Sequence, residues 1–392
     1  MSLTMGLRRI IKNRFGKHTA AKKEIINVYH TNYSRHVLIS YIVYPFQSVN
    51  QFTHQNYVTA HVAAECFSAL GYNVDVVDYM NHDLVIDYGK YAVIFGLGYN
   101  FEQSFYHPDR SVPRIHFVTG AHEDLHNKMS LTSIEDFYRL SGLWLANEAN
   151  VMKNICYYSN FNADLDIIFA HGLVLNDYRS RVKNRVCSLN NNILNAFEGF
   201  KPKCREGRTS NFLFLSGAKL ITKGLFILLE VARLRQDLNF YIVVQQMDES
   251  FERYYQDLLL REGSNVRLYK NIRMDSEEMK EIVEACTYCV APSYIDGLPG
   301  GTIEPMAAGL IPIVSKYCGL PQERFIFEME GLSPEVLNDT INQVLALDDD
   351  TYIAYSNAVK EYTRANFSGD HMKKELMGIL TSELSGILNY RK

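Results

Sequence analysis

Two carboxylates flank a glycine-rich turn in the second half of the chain and could hold a ligand that carries hydroxyl groups. Asp296 precedes the turn and Glu304 follows it, with seven residues between them. The sequence predicts a strand that ends at Pro292, a turn over residues 297–301 and a helix from about Thr302. Glycines let a backbone approach a ligand closely, and a helix N-terminus attracts phosphate. Because the two carboxylates cannot attract phosphate, we expect them to accept hydrogen bonds from sugar hydroxyls.

A lysine earlier in the chain lies close to the start of a predicted helix. Lys223 lies between a predicted strand that starts at Asn211 and a predicted helix over residues 225–234. Taken alone, Lys223 would be an ordinary surface lysine at the start of a helix.

Other short motifs indicate little chemistry. Cys286 and Cys289 form a CxxC pair, but the second pair that a zinc site needs is missing, so both are expected to be structural. Asp164 and Asp166 form a DxD, which occurs often by chance. The chain has no Walker A or GxSxG motif.

The elements that would position these residues follow an α/β pattern. Apolar runs near residues 37–44, 73–78, 92–98 and 114–120 alternate with helical periodicity, which indicates βαβ units and parallel sheets. A polar stretch over residues 198–210 is the expected linker, and a second α/β series follows it. The predicted domains are a basic extension over 1–23, an N-terminal domain over 24–200, a C-terminal domain over 201–370 and a final helix over 371–392.

The first 23 residues carry seven positive charges and no acidic residue. Leu7, Ile10, Ile11 and Phe15 would lie on one face of a helix, so this segment is either an amphipathic helix on anionic lipid or a solvated extension. The sequence shows neither an apolar run long enough to span a bilayer nor a signal peptide. Scattered cysteines without a disulfide pattern favour a reducing cytoplasm, and a net charge of −4 argues against nucleic-acid binding. The basic segment, together with the lack of a membrane-spanning run, suggests a cytoplasmic protein at the inner face of the membrane.

Residues 291–312 resemble the E-x7-E region of retaining GT-B glycosyltransferases of family four, with Asp296 at the place of the first glutamate. Residues 212–225 resemble the strand, Gly-Arg loop and Lys-Gly helix start of that family. Lys223 matches its diphosphate lysine, whereas Ala218 stands at its arginine position and Lys219 is the adjacent cation. The resemblance implies donor-binding roles for Gly217, Lys219, Lys223, Asp296, Gly297, Gly300, Gly301, Thr302 and Glu304.

The resemblance is weaker in the N-terminal half, which in this family binds the acceptor, and the acceptor differs from one member to another. His122 follows a predicted strand at a position where the family often has a histidine near the donor sugar, although a lone loop histidine is more often a surface residue. The catalytic set that the resemblance implies is His122, Lys223 and Asp296. The loop over residues 47–56 is an acceptor candidate, and the individual acceptor residues expected are Asn56, Glu123 and Asn127.

The resemblance implies two Rossmann-like domains that face each other across a cleft, with the C-terminal helix returning to the N-terminal domain. It implies transfer of a sugar, with retention, from a nucleotide diphosphate sugar to a glycan or lipid-linked acceptor in cell-surface polysaccharide synthesis, without metal or other cofactor. Two alternatives stay open. One is a nucleotide-sugar epimerase of the same fold. The other is a catalytically silent module, which Ala218, Asp296 and Gln245 make conceivable.

Overall fold

The computed structural model describes residues 23–47, 54–153, 157–197, 199–201 and 203–390. The basic segment predicted over residues 1–23 lies outside these residues, apart from Lys23, and so does most of the loop predicted over residues 47–56.

The first half of the described chain forms a seven-stranded sheet in the order β1-β3-β2-β4-β5-β6-β7, in which only β1 is antiparallel to its neighbour. The strands are β1 Glu24–Ile25, β2 Arg35–Tyr41, β3 Tyr72–Asp78, β4 Val93–Gly96, β5 Arg114–Val118, β6 Leu165–Ile168 and β7 Arg185–Ser188. The helices are α1 Gln55–Ala69, α2 Gly98–Gln103, α3 Glu123–Ser141, α4 Tyr157–Asn162 and α5 Gly172–Arg181.

The second half of the described chain forms a six-stranded parallel sheet in the order β10-β9-β8-β11-β12-β13. The strands are β8 Asn211–Ser216, β9 Asn239–Val244, β10 Val266–Lys270, β11 Tyr288–Ala291, β12 Ile311–Ser315 and β13 Phe327–Met329. The helices are α6 Leu225–Leu234, α7 Glu249–Tyr254, α8 Gln256–Leu259, α9 Glu277–Ala285, α10 Gly300–Ala307, α11 Pro334–Leu345, α12 Asp349–Asn366 and α13 Gly369–Tyr390.

The central strands are buried on both faces because helices cover both sides of each sheet. Val37, Leu38 and Ile39 of β2 and Ile313 of β12 have almost no exposed surface. Such unbroken apolar runs are typical of parallel strands. The predicted α/β architecture with two parallel sheets is confirmed.

The last helix returns to the first half of the chain, as predicted. Helix α13 packs against α1, where the Lys373 ammonium lies 2.7 Å from the Glu65 carboxylate and the Cys66 thiol donates to the Lys373 carbonyl at 3.6 Å. Among the described residues, no helix combines the length and the apolar composition that crossing a bilayer requires.

Candidate active site

A cavity of about 390 Å³ lies between the two halves of the chain, at the carboxyl ends of β8, β9 and β11. Ligands of open parallel sheets bind at this edge. The first half contributes His54, Gln55, Asn56, Thr119, Phe169, Asn191 and Leu194 to its wall. The second half contributes most of the remaining wall, including both predicted carboxylates and the predicted lysine.

The turn from Asp296 to Gly301 forms one wall and is held in an unusual backbone conformation. Leu298 has a φ of 50° and is fully buried. Its N–H donates to the Cys318 carbonyl at 3.0 Å, and its own carbonyl accepts from the Asn191 amide at 3.0 Å. A non-glycine residue adopts a positive φ only where its surroundings compensate for the strain. The first half of the chain therefore helps to hold the turn in shape through Asn191.

Gly297 and Gly301 are required in this turn because backbone atoms of other segments approach them closely, and the Gln55 side chain approaches Gly300. A Cβ atom on Gly301 would lie 2.0 Å from the Leu215 carbonyl oxygen, and one on Gly300 would lie 2.1 Å from the Gln55 side chain. A Cβ atom on Gly297 would lie 2.6 Å from Gly120. From sequence, a ligand was expected to approach these glycines, whereas in the structure protein atoms approach them.

Lys223 and Asp296 form an ion pair inside the cavity. The Lys223 ammonium donates to Asp296 Oδ2, and the Gly297 N–H donates to Asp296 Oδ1 at 2.9 Å. The two side chains are 20% and 18% exposed. Asp296 thus keeps the Lys223 ammonium inside the cavity and can also accept hydrogen bonds from a ligand. An anion that enters the cavity can compete with Asp296 for the ammonium.

Glu304 is a buried carboxylate with one oxygen unused. Its Oε1 accepts from the Leu194 N–H at 2.6 Å and from the Gln55 amide at 3.1 Å. Its Oε2 has no hydrogen-bond partner among the described residues. Burial raises the pKa of Glu304 to about 7. Because Glu304 lines the cavity, the unused oxygen can accept a hydrogen bond from a ligand hydroxyl.

Helix α10 begins at the cavity wall. The N–H groups of Thr302 and Ile303 donate to the Pro299 carbonyl at 2.9 and 3.1 Å. The N–H groups of Gly300 and Gly301 lie ahead of them in the first turn, where a helix offers no acceptor of its own. All of these except Ile303 line the cavity, so this end of the helix can bind an anion.

The cavity also has an apolar part, formed by Phe214, Val243, Ile272 and Met274. Gln245 lies beside it, close to Gly217, which also lines the cavity. A flat heterocycle fits such a wall better than a phosphate does.

Lys219 lies outside the cavity wall. Its ammonium donates to the carbonyl of Asn147, a residue of the first half of the chain. Asn56 does line the cavity and is exposed. Of the donor-binding residues predicted from sequence, all except Lys219 lie in the cavity wall.

The predicted residues at the start of α3 lie outside the cavity wall. His122 is buried and caps α3, since its Nδ1 accepts from the Asp124 N–H at 3.2 Å; its Nε2 has no partner among the described residues. The Glu123 carboxylate accepts from the Asn160 amide. The Asn127 amide donates to the Met152 carbonyl at 3.1 Å and accepts from the Met152 N–H at 2.7 Å.

Asn191 and Leu194, which contact the turn and Glu304 from the first half of the chain, were not expected from sequence. Gln55, which also contacts Glu304, was expected only as part of the acceptor loop over residues 47–56. Gln55 opens a helix that follows the first long strand, a position at the carboxyl edge of a parallel sheet, so its place could have been inferred. Asn191 and Leu194 lie in an irregular crossover, and no local pattern marks them.

Residues 197–364 match the family described as "Glycosyl transferases group 1". No curated protein gave a significant sequence match to the chain. Three solved structures show the extent of the fold similarity. A sucrose-phosphate synthase from Thermosynechococcus elongatus is 15% identical, with a TM-score of 0.59, over 89% of this chain and 98% of that one.

The second structure is HepE from Anabaena, solved in complex with UDP and glucose. It is 11% identical, with a TM-score of 0.53, over 89% of this chain and 100% of that one. The third is WaaG, a glycosyltransferase involved in lipopolysaccharide biosynthesis. It is 15% identical, with a TM-score of 0.51, over 88% of this chain and 99% of that one.

Identities this low show a shared fold, while the family match covers the half of the chain that carries Lys223, the turn and Glu304. Residues 197–364 match a group 1 glycosyltransferase domain, which supports a transferase, and the chain shares the GT-B fold of these three structures.

Proposed function

We propose that the protein transfers a sugar, with retention of configuration, from a nucleoside diphosphate sugar to a glycan or lipid-linked acceptor. One observation carries the proposal. A cation, Lys223, a helix N-terminus and two carboxylates, Asp296 and Glu304, line one cavity of about 390 Å³ between the two halves of the chain. These groups match the phosphates and hydroxyls of a nucleotide sugar.

The proposed donor pose follows from these groups. The base contacts the apolar part of the cavity at Ile272 and Met274. The ribose hydroxyls donate to Glu304, whose Oε2 is unused. The diphosphate lies at the start of α10 and beside Lys223, and the sugar hydroxyls donate to Asp296. HepE was solved with UDP and glucose, which supports a uridine nucleotide as the first donor to try.

In this pose Lys223 acts mainly while the bond between the sugar and the diphosphate breaks. The leaving diphosphate gains negative charge, and the ammonium and the α10 N-terminus stabilise it. We propose that they provide the positive potential that many transferases obtain from a metal ion. Gly297 packs on Gly120, so the two halves enclose the sugar position and exclude water that would hydrolyse the donor.

The acceptor is proposed to enter from the first half of the chain. Asn56 lies at the cavity wall. Glu123 and Asn127 lie further along, and we propose that they shape the acceptor side through Asn160 and Met152 rather than by contact with the reacting atoms. His122 holds the start of α3 in place, and we propose the same indirect part for it.

We further propose that the enzyme acts on surface polysaccharide or lipid-linked glycan in the cytoplasm, at the inner face of the membrane. WaaG takes part in lipopolysaccharide biosynthesis, and the basic segment over residues 1–23 supports attraction to anionic lipid. Co-sedimentation with phosphatidylglycerol vesicles and with neutral phosphatidylcholine vesicles tests this. Deletion of residues 1–23 should abolish the preference for the anionic vesicles, and unchanged binding would refute the membrane proposal.

A donor panel tests the proposed reaction. The full chain is incubated with UDP-, GDP- and ADP-sugars, and the released nucleotide and the sugar product are measured. Release of a nucleoside diphosphate, with the anomeric configuration of the donor retained in the product by NMR, is expected. A product that still carries the nucleotide would identify an epimerase, and neither turnover nor binding with any donor would identify a silent module.

A further inference from the structure

A short segment of the first half of the chain lies directly on the loop that leads to Lys223. We call residues 147–150 the strap; it follows α3 in the chain. The Glu148 carboxylate accepts from the Ile221 N–H at 3.3 Å, and the Glu148 carbonyl accepts from the Thr222 hydroxyl at 3.0 Å. The Lys219 ammonium donates to the Asn147 carbonyl. The strap therefore holds the loop over residues 219–222 through three polar contacts.

The other side of the strap is fixed to α3. The Asn150 carbonyl accepts from the Ser130 hydroxyl at 3.3 Å and lies 2.6 Å from His126 Nε2. Ser133, on the same face of α3, has its hydroxyl 3.2 Å from that of Thr222. These residues recur at helical spacing, so a single face of α3 supports both the strap and the loop. The loop is thus tied to a rigid element of the opposite half.

The position of the loop determines the backbone position of Lys223, whose ammonium is paired with Asp296. The Lys223 N–H donates to the Lys219 carbonyl at 3.0 Å, so Lys223 lies one turn beyond the residue that the strap binds. On its other side, Gly224 has a φ of 75°, and a Cβ atom there would lie 2.0 Å from the Pro292 carbonyl oxygen. Lys223 therefore has little freedom to shift unless the loop shifts with it.

Within the strap, Glu148 is the residue whose side chain accepts a hydrogen bond from the loop. It is half-buried, and burial raises its pKa. The cost of burying a carboxylate is offset here by the N–H group that it accepts from.

We propose that Glu148 is a positioning residue for Lys223, which it places against the donor diphosphate only while the two halves are docked. This inference rests on the proposed function, in which Lys223 stabilises the leaving diphosphate. If so, the first half of the chain, which is proposed to bind the acceptor, also affects the rate at which the donor is cleaved. When the halves separate, the loop loses its polar partners and the lysine loses its fixed position.

The test compares Glu148→Ala, Glu148→Gln and a control, Glu135→Ala, in the full chain. Glu135 lies on α3 with its side chain 54% exposed, so its loss changes the net charge equally without touching the strap. Displacing a catalytic group by about 1 Å can lower the rate on the order of 100-fold, so a loss of kcat between about 10-fold and 100-fold is expected for Glu148→Ala. The Gln variant keeps an oxygen for the Ile221 N–H and should recover most of the rate.

Two further readouts separate positioning from simple loss of structure. The fraction of donor lost to hydrolysis should rise in Glu148→Ala, while the KM for the acceptor stays near that of the control. Hydrogen exchange, which needs no activity, should show faster exchange at Leu220 and Ile221 with the core strands unchanged. If Glu148→Ala fails to fold, Glu148→Gln and Thr222→Val, which removes the second contact, take its place; Thr222→Val should then lower kcat and Glu148→Gln should not.

The outcomes are distinct. Wild-type turnover together with a Glu148→Ala rate equal to that of Glu135→Ala overturns the positioning proposal alone. Equal losses in Glu148→Ala and Glu148→Gln, or unchanged exchange at Leu220 and Ile221, overturn it as well. Absence of both turnover and donor binding in the wild type refutes the proposed function, and with it the role given to Glu148.

Discussion

The turn at Asp296–Gly301 and the start of α3 were both expected from sequence to touch substrate, and they differ in how their polar atoms are used. In the turn region, Lys223, Asp296 and Glu304 line the cavity, and one Glu304 oxygen has no hydrogen-bond partner in the part of the chain that the structure describes. At the start of α3, the Asn127 amide is bonded to Met152 on both sides and the Glu123 carboxylate is bonded to Asn160; His122 Nε2 has no partner among the described residues, but His122 lies outside the cavity wall. A polar residue binds substrate directly only where it lines the cavity and its own protein leaves it a free donor or acceptor.

This difference predicts large catalytic effects in the first region and small, indirect ones in the second. Four variants test this difference, and they are described in order of decreasing expected effect.

Lys223→Met should have the largest effect. Loss of one group that stabilises the leaving charge typically lowers kcat on the order of 100-fold to 1000-fold. The variant leaves Asp296 without its cation, so the cavity also becomes more negative and repels the diphosphate. The measurement is the steady-state rate of nucleotide release. Lys280→Met, which removes a helix-surface lysine paired with Glu277, serves as the matched control and should retain the wild-type rate.

Glu304→Gln should change the pH dependence of stability. The pKa of this carboxyl is about 7 in the folded, ligand-free protein and near 4.5 when unfolded, so folding favours the protonated form. Its stabilising contribution is complete below pH 4.5 and is lost as the pH rises through 7. The shift corresponds to about 3 kcal/mol of unfolding free energy between pH 4.5 and 8.

Urea unfolding at several pH values measures this effect. Glu304→Gln should be more stable than the wild type at pH 8 and should show a flatter profile, while its affinity for the nucleotide falls. Equal pH profiles for the two proteins would contradict the buried state of this carboxyl.

Gly301→Ala should destabilise the protein and impair donor binding together. The added methyl would meet the Leu215 carbonyl oxygen at 2.0 Å, and overpacking of this kind costs about 1–3 kcal/mol. Gly378→Ala is the control, because a Cβ atom there meets nothing within 4 Å in helix α13, and alanine should raise stability by up to about 1 kcal/mol. Urea unfolding of both variants, with nucleotide titration, decides between a local clash and a general glycine effect.

Asn127→Ala should have the smallest effect. It releases the backbone of Met152, which costs about 1 kcal/mol of stability through two lost hydrogen bonds. The KM for the acceptor should change modestly, and the donor affinity should not change. Thermal unfolding and initial rates at varied acceptor concentration check this. A large loss of donor affinity would show that the start of α3 contacts the donor after all.

Local features of the site could be predicted from sequence because they depend on neighbouring residues. The bounds of α6 and the strand before the turn follow from apolar periodicity, and they agree with the prediction. Glycines and proline between a strand and a helix likewise indicate a turn, which the structure contains. The fold class followed from the alternation of such units.

Contacts between distant parts of the chain could not be predicted in the same way. Gln55 and Glu304 are 249 residues apart, and Asn191 and Leu298 are 107 apart. Lys219 was expected at the diphosphate, but its ammonium is bonded to Asn147 of the opposite half. Each of these depends on how the two halves dock, and no short-range pattern records that docking.

The most direct test of the account is calorimetric titration of the full chain with the nucleoside diphosphate of whichever donor supports turnover. The account predicts one binding site per chain, affinity that falls sharply in Lys223→Met and in Glu304→Gln, and unchanged affinity in Lys280→Met. Wild-type affinity in both cavity variants would contradict the claim that this cavity holds the donor.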